Sequence, residues 1–365
     1  MGRAASEINM RRIPWALALA LVPATLACAA DLTPRIGAIE IYGARKVPQK
    51  KIREALGVQE GSILPPSRSD VEERLDKMHG VIAARLEATC CAQGKMILYV
   101  GVQEGDTPRT EFRPAPTGEI ELPTEITKTY QDFLDSAKEA AHAGITGEDL
   151  TSGYSLMADS DTRPIQILFI TQSEKYLNQL HEVIRNSSDP EQRATAAYVL
   201  QYAPRNERLM HQTLDDLQYA LHDGNDTVRS NAMRSLKAVA VGAKLHPEQN
   251  IVISPTWFVE LLNSIVWSDR RNASLALVDL TESRDPDTLA LIHDRALSSV
   301  VEMARWQNLE HALPAFILVG RVAGLSDEEI RTAWVNGNRE AVIKKALTPA
   351  KRPSLPDRIL HKPSA

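Results

Sequence analysis

One helical pattern, Arg193-x-x-Ala196-x-x-x-Leu200, recurs as Arg229-x-x-Ala232-x-x-x-Leu236 and as Arg270-x-x-Ala273-x-x-x-Leu277. A fourth, degraded copy runs Leu309-x-x-Ala312-x-x-x-Phe316, with an apolar residue in place of Arg. The copies are 36, 41 and 39 residues apart, which is the length of one helix pair in an α-solenoid. The sequence therefore predicts an array of helical repeats, a fold that usually provides a binding surface and rarely carries chemistry.

Residues 172–347 form the predicted array, and the helix before each copy has an apolar stripe of its own. The stripes are Leu177, Leu180, Val183 and Ile184; Leu214, Leu217 and Leu221; and Phe258, Leu261, Leu262 and Ile265. This arrangement resembles HEAT repeats, whose second helix carries Arg, Ala and Leu at the positions quoted above. The resemblance implies that the Ala residues permit close helix approach and that the Leu residues fill a shared core. It also implies that each Arg pairs with acidic residues of a neighbouring repeat.

Segments of different character flank the array. Residues 124–171 begin with a helix whose stripe includes Tyr130 and Phe133, and they continue into an irregular, Asp-containing stretch. We interpret them as a cap, because solenoids need an atypical first repeat. Residues 348–365 contain four prolines and are predicted to be disordered.

The N-terminal residues 31–104 predict a small α+β module in the order strand, helix, helix, strand, strand. Ile39 and Ile41 indicate a first strand that ends at Gly43. Pro48 begins a short helix, and Ser69-x-x-Glu72 predicts a capping box for a second helix that ends at Gly80.

The hydrophobic period then changes from 3.6 to 2, which indicates two further strands. In the segment from Ile82 to Cys90, apolar residues alternate with Arg85, Glu87 and Thr89. The strand from Lys95 to Val102 has apolar residues on one face and Ile97 and Tyr99 on the other, as expected of a central strand covered on both faces.

This module resembles a POTRA domain, a periplasmic module of outer-membrane barrel assembly proteins. The matching residues are Ile39-x-Ile41-x-Gly43, Gly80-Val81 and Val100-x-Val102-x-Glu104. The resemblance covers about seventy residues, and it implies that the second strand is an edge to which an extended partner can add. Only one such module is present and no barrel sequence follows it. A generic α+β module is the other interpretation, and it predicts no exposed sheet edge.

Residues 105–123 contain four prolines and two glycines, which disfavour both helix and sheet. They are predicted to form a linker and to mark a domain boundary.

The first thirty residues resemble an export signal. Arg11 and Arg12 precede an apolar run from Ile13 to Ala27, which is shorter than the about 20 residues of a membrane-spanning helix. Cleavage is predicted after Ala30, or after Ala29. Lipidation of Cys28 is the alternative, although Leu26 does not lie three positions before it as a lipobox requires. The mature protein is therefore expected to be exported and periplasmic, with no transmembrane span and, in the alternative, a lipid anchor.

Only Cys90 and Cys91 remain after cleavage. Adjacent cysteines in an oxidising compartment form a vicinal disulfide or remain free thiols, and both interpretations stay open. No C-x-x-C motif suggests a redox pair or a zinc site.

Charge and motifs exclude several functional classes. The formal charge is -5, and about -7 without the first thirty residues, which gives no electrostatic case for nucleic acid. Nucleophile-elbow, zinc-protease, P-loop and dinucleotide motifs are absent. The acidic residues of the cap, Glu148, Asp149, Asp159 and Asp161, lack the alternation of a calcium loop. We expect no catalytic residue, no metal and no cofactor.

The expected function is therefore non-enzymatic: an adaptor of the cell envelope that binds proteins. One partner would add to the sheet edge, and another would lie on the concave face of the solenoid. Candidate partner-binding residues are Ile82, Arg85, Glu87, Thr89 and Cys90 on the second strand, with Trp267 as an exposed aromatic anchor. The alternative is an enzyme or accessory factor with a site in residues 144–165, where Tyr154, Asp159, Asp161 and Arg163 have no role in the repeat pattern.

Overall fold

A computed structural model describes residues 34–348, except for 93, 150 and 246–250. The predicted signal peptide, its cleavage site at Ala30, Cys28 and the tail from 349 onward lie outside the described residues. The described elements are β1 (Ile36–Tyr42), α1 (Gln49–Leu56), α2 (Arg68–Asp76), β2 (Val81–Ala92), β3 (Lys95–Glu104), α3 (Thr124–His142), β4 (Glu148–Asp149), β5 (Leu156–Met157), α4 (Thr162–Lys175), α5 (Leu177–Asn186), α6 (Pro190–Val199), a 3-10 turn (Leu200–Tyr202), α7 (Glu207–Ala220), α8 (Asp226–Leu245), α9 (Thr256–Leu261), α10 (Trp267–Leu280), α11 (Pro286–Ala304), α12 (Leu309–Val322), α13 (Asp327–Val335) and α14 (Arg339–Leu347).

The N-terminal elements form a three-stranded sheet in the order β1-β3-β2, which is covered on one face by α1 and α2. β1 is parallel to β3, whereas β2 is antiparallel to it. β3 is central: Leu98 and Val100 pack toward α1 and α2, while Ile97 and Tyr99 belong to the core of the helical array. The prediction that this strand is covered on both faces is confirmed.

The start and end of α2 differ from the prediction. Its N-cap is Ser67, whose hydroxyl accepts the N–H of Asp70, and the helix ends at Asp76. The carboxylate of Glu72 does not close a capping box with Ser69. It accepts the N–H of Leu86 on β2 instead, at 2.7 Å. A long-range contact therefore replaces the local one that the sequence pattern suggested.

The helices from α5 onward form a helical solenoid of paired helices, with their second members packed in one row. α6 packs on α8, α8 on α10, α10 on α12 and α12 on α14. Side chains that bind free N–H groups begin several of these helices. Asp189 caps α6, Asn206 caps α7, Asp285 caps α11, Asn308 caps α12, and Ser326 forms a capping box with Glu329 in α13.

Buried arginines link successive repeats in the row of second helices. Arg193 donates to both oxygens of Asp223, at 2.7 and 2.9 Å, and Arg229 makes the same type of bidentate pair with Asp269. Each guanidinium also donates to a backbone carbonyl six residues earlier, in the turn of its own repeat. Every arginine thus fixes its own turn and the next repeat together. The accompanying Ala196, Ala232, Ala273, Leu200, Leu236 and Leu277 have no exposed surface.

The third arginine extends this series to the sheet. Arg270 donates to the carbonyl of Ser264 and to Oε2 of Glu302 on α11, at 2.9 Å. The other oxygen of Glu302 accepts the N–H of Gly43, directly after β1, at 2.8 Å. The same carboxylate therefore connects two repeats to the sheet module.

Residues 105–123, predicted to be a linker between domains, pack along the helical array. They are largely irregular, as their prolines require, with one bridge between Gly118 and Ser187. The described residues from Pro34 onward form one compact unit, so the segment does not span free space between two separate bodies. Proline content revealed the conformation of this segment but not its contacts.

The cap formed by α3, α4 and the β4–β5 hairpin covers the first repeats. α3 packs on α4 and α6, and the hydroxyl of Tyr130 accepts a hydrogen bond from Asn231 of α8 at 2.9 Å. Glu148 forms an ion pair with Arg234, also on α8.

Candidate functional site

The sheet docks on the third and fourth repeats through an aromatic cluster. Tyr99 stacks on Trp267 with ring centroids 4.7 Å apart, and its hydroxyl lies 2.6 Å from Nδ1 of His311. Trp306 packs against both Tyr42 and Tyr99. Aromatic pairs at these distances stabilise an interface beyond the area they bury. The contact therefore fixes the sheet on the array.

Trp267 was predicted to be an exposed partner anchor, and the structure contradicts this prediction. Its side chain is only 9% exposed and lies beneath Tyr99. The polar neighbours Ser268 and Asp269, which suggested exposure, are engaged within the protein. Asp269 pairs with Arg229, and the N–H of Ser268 is bound by Glu87. Trp267 thus contributes to the internal interface.

Glu87 of β2 lies at the N-terminus of α10. Both its carboxylate oxygens accept the N–H of Ser268 at 3.3 Å, in the position where a helix N-terminus favours negative charge. Burial raises the pKa of Glu87, and the hydrogen bonds from Ser268 partly offset that rise. Glu87 therefore contributes a contact between the sheet and the array, and its partner-binding role stays a prediction.

β2 is an edge strand, and part of its edge is already occupied. The N–H of Ala84 donates to Asp76 at 2.6 Å and the N–H of Leu86 donates to Glu72 at 2.7 Å. Since the N–H groups of a strand point alternately to either side, these bonds show that the backbone N–H groups of the even-numbered residues point away from β3. Ala88 is the next outward residue, and its side chain is exposed. The carboxylates of Asp76 and Glu72, which we call the capping carboxylates, occupy the edge at Ala84 and Leu86. Strand addition is therefore restricted to the part of β2 beyond Leu86.

The other predicted residues of β2 lie around this edge. Ile82 is 53% exposed, Arg85 is exposed and Thr89 is half-buried. Cys90 is exposed and disulfide-bonded, so the free-thiol interpretation does not hold for it. The side chain of Cys91 lies outside the described residues.

A cavity of about 380 Å³ opens beside the β2 edge, and we call it the junction cavity. Its walls come from α2, β2, residues 109–112 and the turns before α8 and α10. Ile82 supplies apolar surface, and Arg85 and Arg109 supply charge. Within the described part of the chain, neither arginine has an ion pair with an acidic side chain. The cavity thus offers an apolar contact and these two guanidinium groups next to the edge strand, together with the carboxylates of Glu72, Glu87 and Asp226.

The cap residues that the repeat pattern left unexplained have structural contacts. Asp159 accepts the N–H and hydroxyl of Thr162 at the start of α4, and Asp149 pairs with Arg163. The ring of Tyr154 lies under the guanidinium of Arg205. Hydrogen bonds from Thr151 and Thr162 lower the pKa of Asp149 and Asp159, respectively. Lowered values keep both carboxylates ionised, whereas a general acid requires a raised pKa.

Among the residues that the structure describes, no cluster of three or more His, Cys, Asp or Glu side chains is arranged to hold a metal ion. None of their helices combines the length and the hydropathy that crossing a bilayer requires.

Sequence reasoning missed the residues of the 105–123 segment and the two capping carboxylates. Phe112 lies 3.9 Å from the guanidinium of Arg229, and the backbone of Arg113 bonds to the end of α7. The adjacent Phe112 and Arg113 inside a proline-rich segment were the available signal that the segment makes contacts. Glu72 and Asp76, spaced four apart on α2, share one helix face, which is a signal for a common contact.

Comparisons with known proteins carry no argument about the fold or the function of this chain. No protein-family model matches the chain, and the search of curated proteins finds no match. Among solved structures, a designed armadillo repeat protein is similar at 14% identity with a TM-score of 0.34. The similarity covers 52% of this chain and 95% of the designed protein. At this TM-score it supports no inference about function.

The aromatic interface is expected to weaken on mild acidification. Burial lowers the pKa of His311 below its ordinary value near 6.5, and the charge of Arg271 lowers it further. The unfolded chain then binds a proton more readily than the folded one. The contribution of His311 to stability is complete above about pH 6.5 and is lost as the pH falls below it.

The His311→Asn variant isolates this contribution, because the raised pKa values of Glu40 and Glu87 act in the opposite direction in both proteins. We expect the wild-type melting temperature to fall more than that of the variant between pH 7.5 and 5.5. Parallel falls in the two proteins would show that His311 does not titrate at the interface.

Proposed function

We propose that this chain is a non-enzymatic, protein-binding adaptor of the cell envelope, exported by its N-terminal signal. The sheet module is POTRA-like and the array is HEAT-like in this proposal. The element order strand, helix, helix, strand, strand and the edge position of β2 support the first assignment. The bidentate Arg–Asp pairs between successive repeats support the second.

The observation that carries the proposal is the part of β2 beyond Leu86, which continues from the stretch Ile82–Glu87 that lines the junction cavity. Beyond Leu86, the outward backbone groups of β2 are available to an extended segment, which would add as a fourth strand. Ile82 lies at the same edge and is half exposed. Arg85 and Arg109 would pair with acidic side chains of that segment. The partner at this edge is therefore an extended polypeptide.

The helical array supplies a second surface in this proposal. Arrays of helical repeats typically bind proteins, and the formal charge of about -7 without the first thirty residues favours a protein over a polyanion. A second partner would lie on the concave face of the solenoid. Because the sheet and the array belong to one compact unit, we expect both partners to be held in a fixed relative orientation.

The Ala88→Pro variant tests the edge. Proline removes an outward N–H without removing a hydrogen bond between β2 and β3. We expect the amount of envelope protein recovered with the purified chain to fall about tenfold, which corresponds to about 1.4 kcal/mol of binding free energy.

The matched control is Ala88→Ser, which retains the N–H and the exposed position. Recovery with this variant is expected to equal that of the wild type. Equal recovery with Ala88→Pro and Ala88→Ser, at unchanged melting temperatures, would rule out strand addition at this edge.

A further inference from the structure

Residues 108–122, which we call the strap, bind the C-terminal ends of three successive first helices. The N–H of Gly118 donates to the carbonyl of Asn186 at the end of α5, at 2.9 Å, and the N–H of Arg113 donates to the carbonyl of His222 after α7, at 2.8 Å. The hydroxyl of Thr110 donates to the carbonyl of Glu260 near the end of α9, at 3.0 Å. The strap thus crosses three repeats, and at each of them it donates a hydrogen bond to a backbone carbonyl at the C-terminal end of the first helix.

This pattern follows from the chemistry of helix ends. The last carbonyls of an α-helix have no partner within the helix, and they carry partial negative charge. The strap supplies N–H and O–H donors to these carbonyls, and the guanidinium of Arg113 donates to the carbonyl of Tyr219 near the end of α7. The row of helix ends therefore binds an extended chain through its backbone and through a cation.

Two features of the strap show which residues an extended segment needs in order to bind at these helix ends. The ring of Phe112 packs on the guanidinium of Arg229, over its pair with Asp269. At Gly118, a Cβ atom would lie 2.6 Å from the carbonyl oxygen of Asn186, which only glycine avoids. An extended segment that fits must therefore present an aromatic–arginine pair, followed five residues after the arginine by glycine.

The strap is an imperfect ligand for this surface. The guanidinium of Arg113 lies on the ring of Tyr219, but its Nε and Nη1 are buried without a hydrogen-bond partner, and burial lowers the pKa of Arg113 to about 10. A buried donor without a partner weakens the binding of the segment that carries it. Arg109, Glu111, Pro114, Ala115, Thr117, Glu119 and Glu121 of the strap are exposed. A segment that satisfies the arginine donors would bind better than the strap does.

We propose that the C-terminal ends of α5, α7 and α9 form a docking groove for such an extended segment of a partner protein, and that the strap occupies it as an intramolecular ligand. This inference deepens the protein-binding proposal and rests on it, but it concerns a different surface from the β2 edge. Binding of the partner would displace the strap and uncover the pair between Arg229 and Asp269.

The test uses a fluorescent peptide with the sequence of residues 108–122 and the complete chain. The wild-type groove is occupied, so its apparent Kd for the peptide equals the Kd of the open groove divided by the fraction of molecules in which the strap is displaced. In the Phe112→Ala/Arg113→Ala variant the strap is weakened. We expect this variant to bind the peptide with a Kd at least about tenfold lower than that of the wild type. A peptide carrying Gly118→Val is expected not to bind either protein.

Arg113→Gln is the milder variant if the double substitution impairs folding, because it leaves Phe112 on Arg229. It is expected to bind the peptide with an intermediate Kd. The proposal is overturned if the folded variants do not bind the peptide, or if wild type and variants bind it equally well. Neither result would affect strand addition at Ala88, which is tested separately.

Discussion

Replacing Arg229 by leucine is expected to lower the free energy of unfolding by about 3–5 kcal/mol. Arg229 and Asp269 are 1% and 0% exposed, and they are joined by hydrogen bonds of 2.7 to 3.1 Å. The substitution leaves the carboxylate of Asp269 buried without its counter-charge, with Ser264 as a remaining donor. It also removes the bond to the carbonyl of Asp223, which fixes the turn before α8.

Arg305→Leu is the matched control for this substitution. Arg305 also makes a bidentate pair, with Glu340, but both side chains are about half exposed or more. Exposed pairs contribute up to about 1 kcal/mol, so the control is expected to change stability little. The measurement is equilibrium denaturation in urea. Similar losses for the two variants would mean that burial of the Arg229 pair does not determine its effect.

Gly101→Val is expected to destabilise the protein by overpacking, at a cost of about 1–3 kcal/mol or more. Gly101 lies on β3 where the sheet meets the turn before α10. A Cβ atom there would lie 1.9 Å from the carbonyl oxygen of Ile265 and 2.8 Å from the hydroxyl of Tyr42. These two groups are hydrogen-bonded to each other at 2.8 Å, so neither moves aside without losing that bond.

Gly105→Ala is the control for Gly101→Val, since it lies just after the same strand. Its added Cβ would meet only the side chain of Ile82, at an ordinary 3.6 Å. Stability is expected to change by about 0.5 kcal/mol or less, as measured by thermal denaturation. If Gly101→Val also unfolded at the wild-type temperature, this result would contradict the close approach of β3 to the carbonyl of Ile265.

The helical array was predictable because its signal is periodic. Arg193, Arg229 and Arg270 recur at the spacing of a helix pair, and each lies near the start of a second helix. Their acidic partners were less predictable. Asp223 and Asp269 lie close to the turns, but Glu302 lies near the end of α11 and connects to Gly43, 259 residues away. The spacing of residues within one helix pair contains no information about a contact between segments so distant in sequence.

The surroundings of the sheet were only partly predictable. Ile97 and Tyr99 indicated that β3 has a second covered face, because apolar side chains on both faces require two covers. They did not indicate that the cover is the array. Trp267 was misassigned for the same reason, since its polar neighbours Ser268 and Asp269 are bound by partners distant in sequence. The strap was missed because backbone binding to helix ends leaves no periodic pattern.

Sheet, strap and repeats form one folded unit, and in our proposal this unit presents its binding surfaces together. Native-state hydrogen exchange at increasing denaturant tests this claim most directly, because it resolves the opening free energy of each segment. We predict that amides of β3 and of α10 exchange through one shared opening of equal free energy. Exchange of β3 through a separate opening of lower free energy, while α10 stays protected, would contradict the claim.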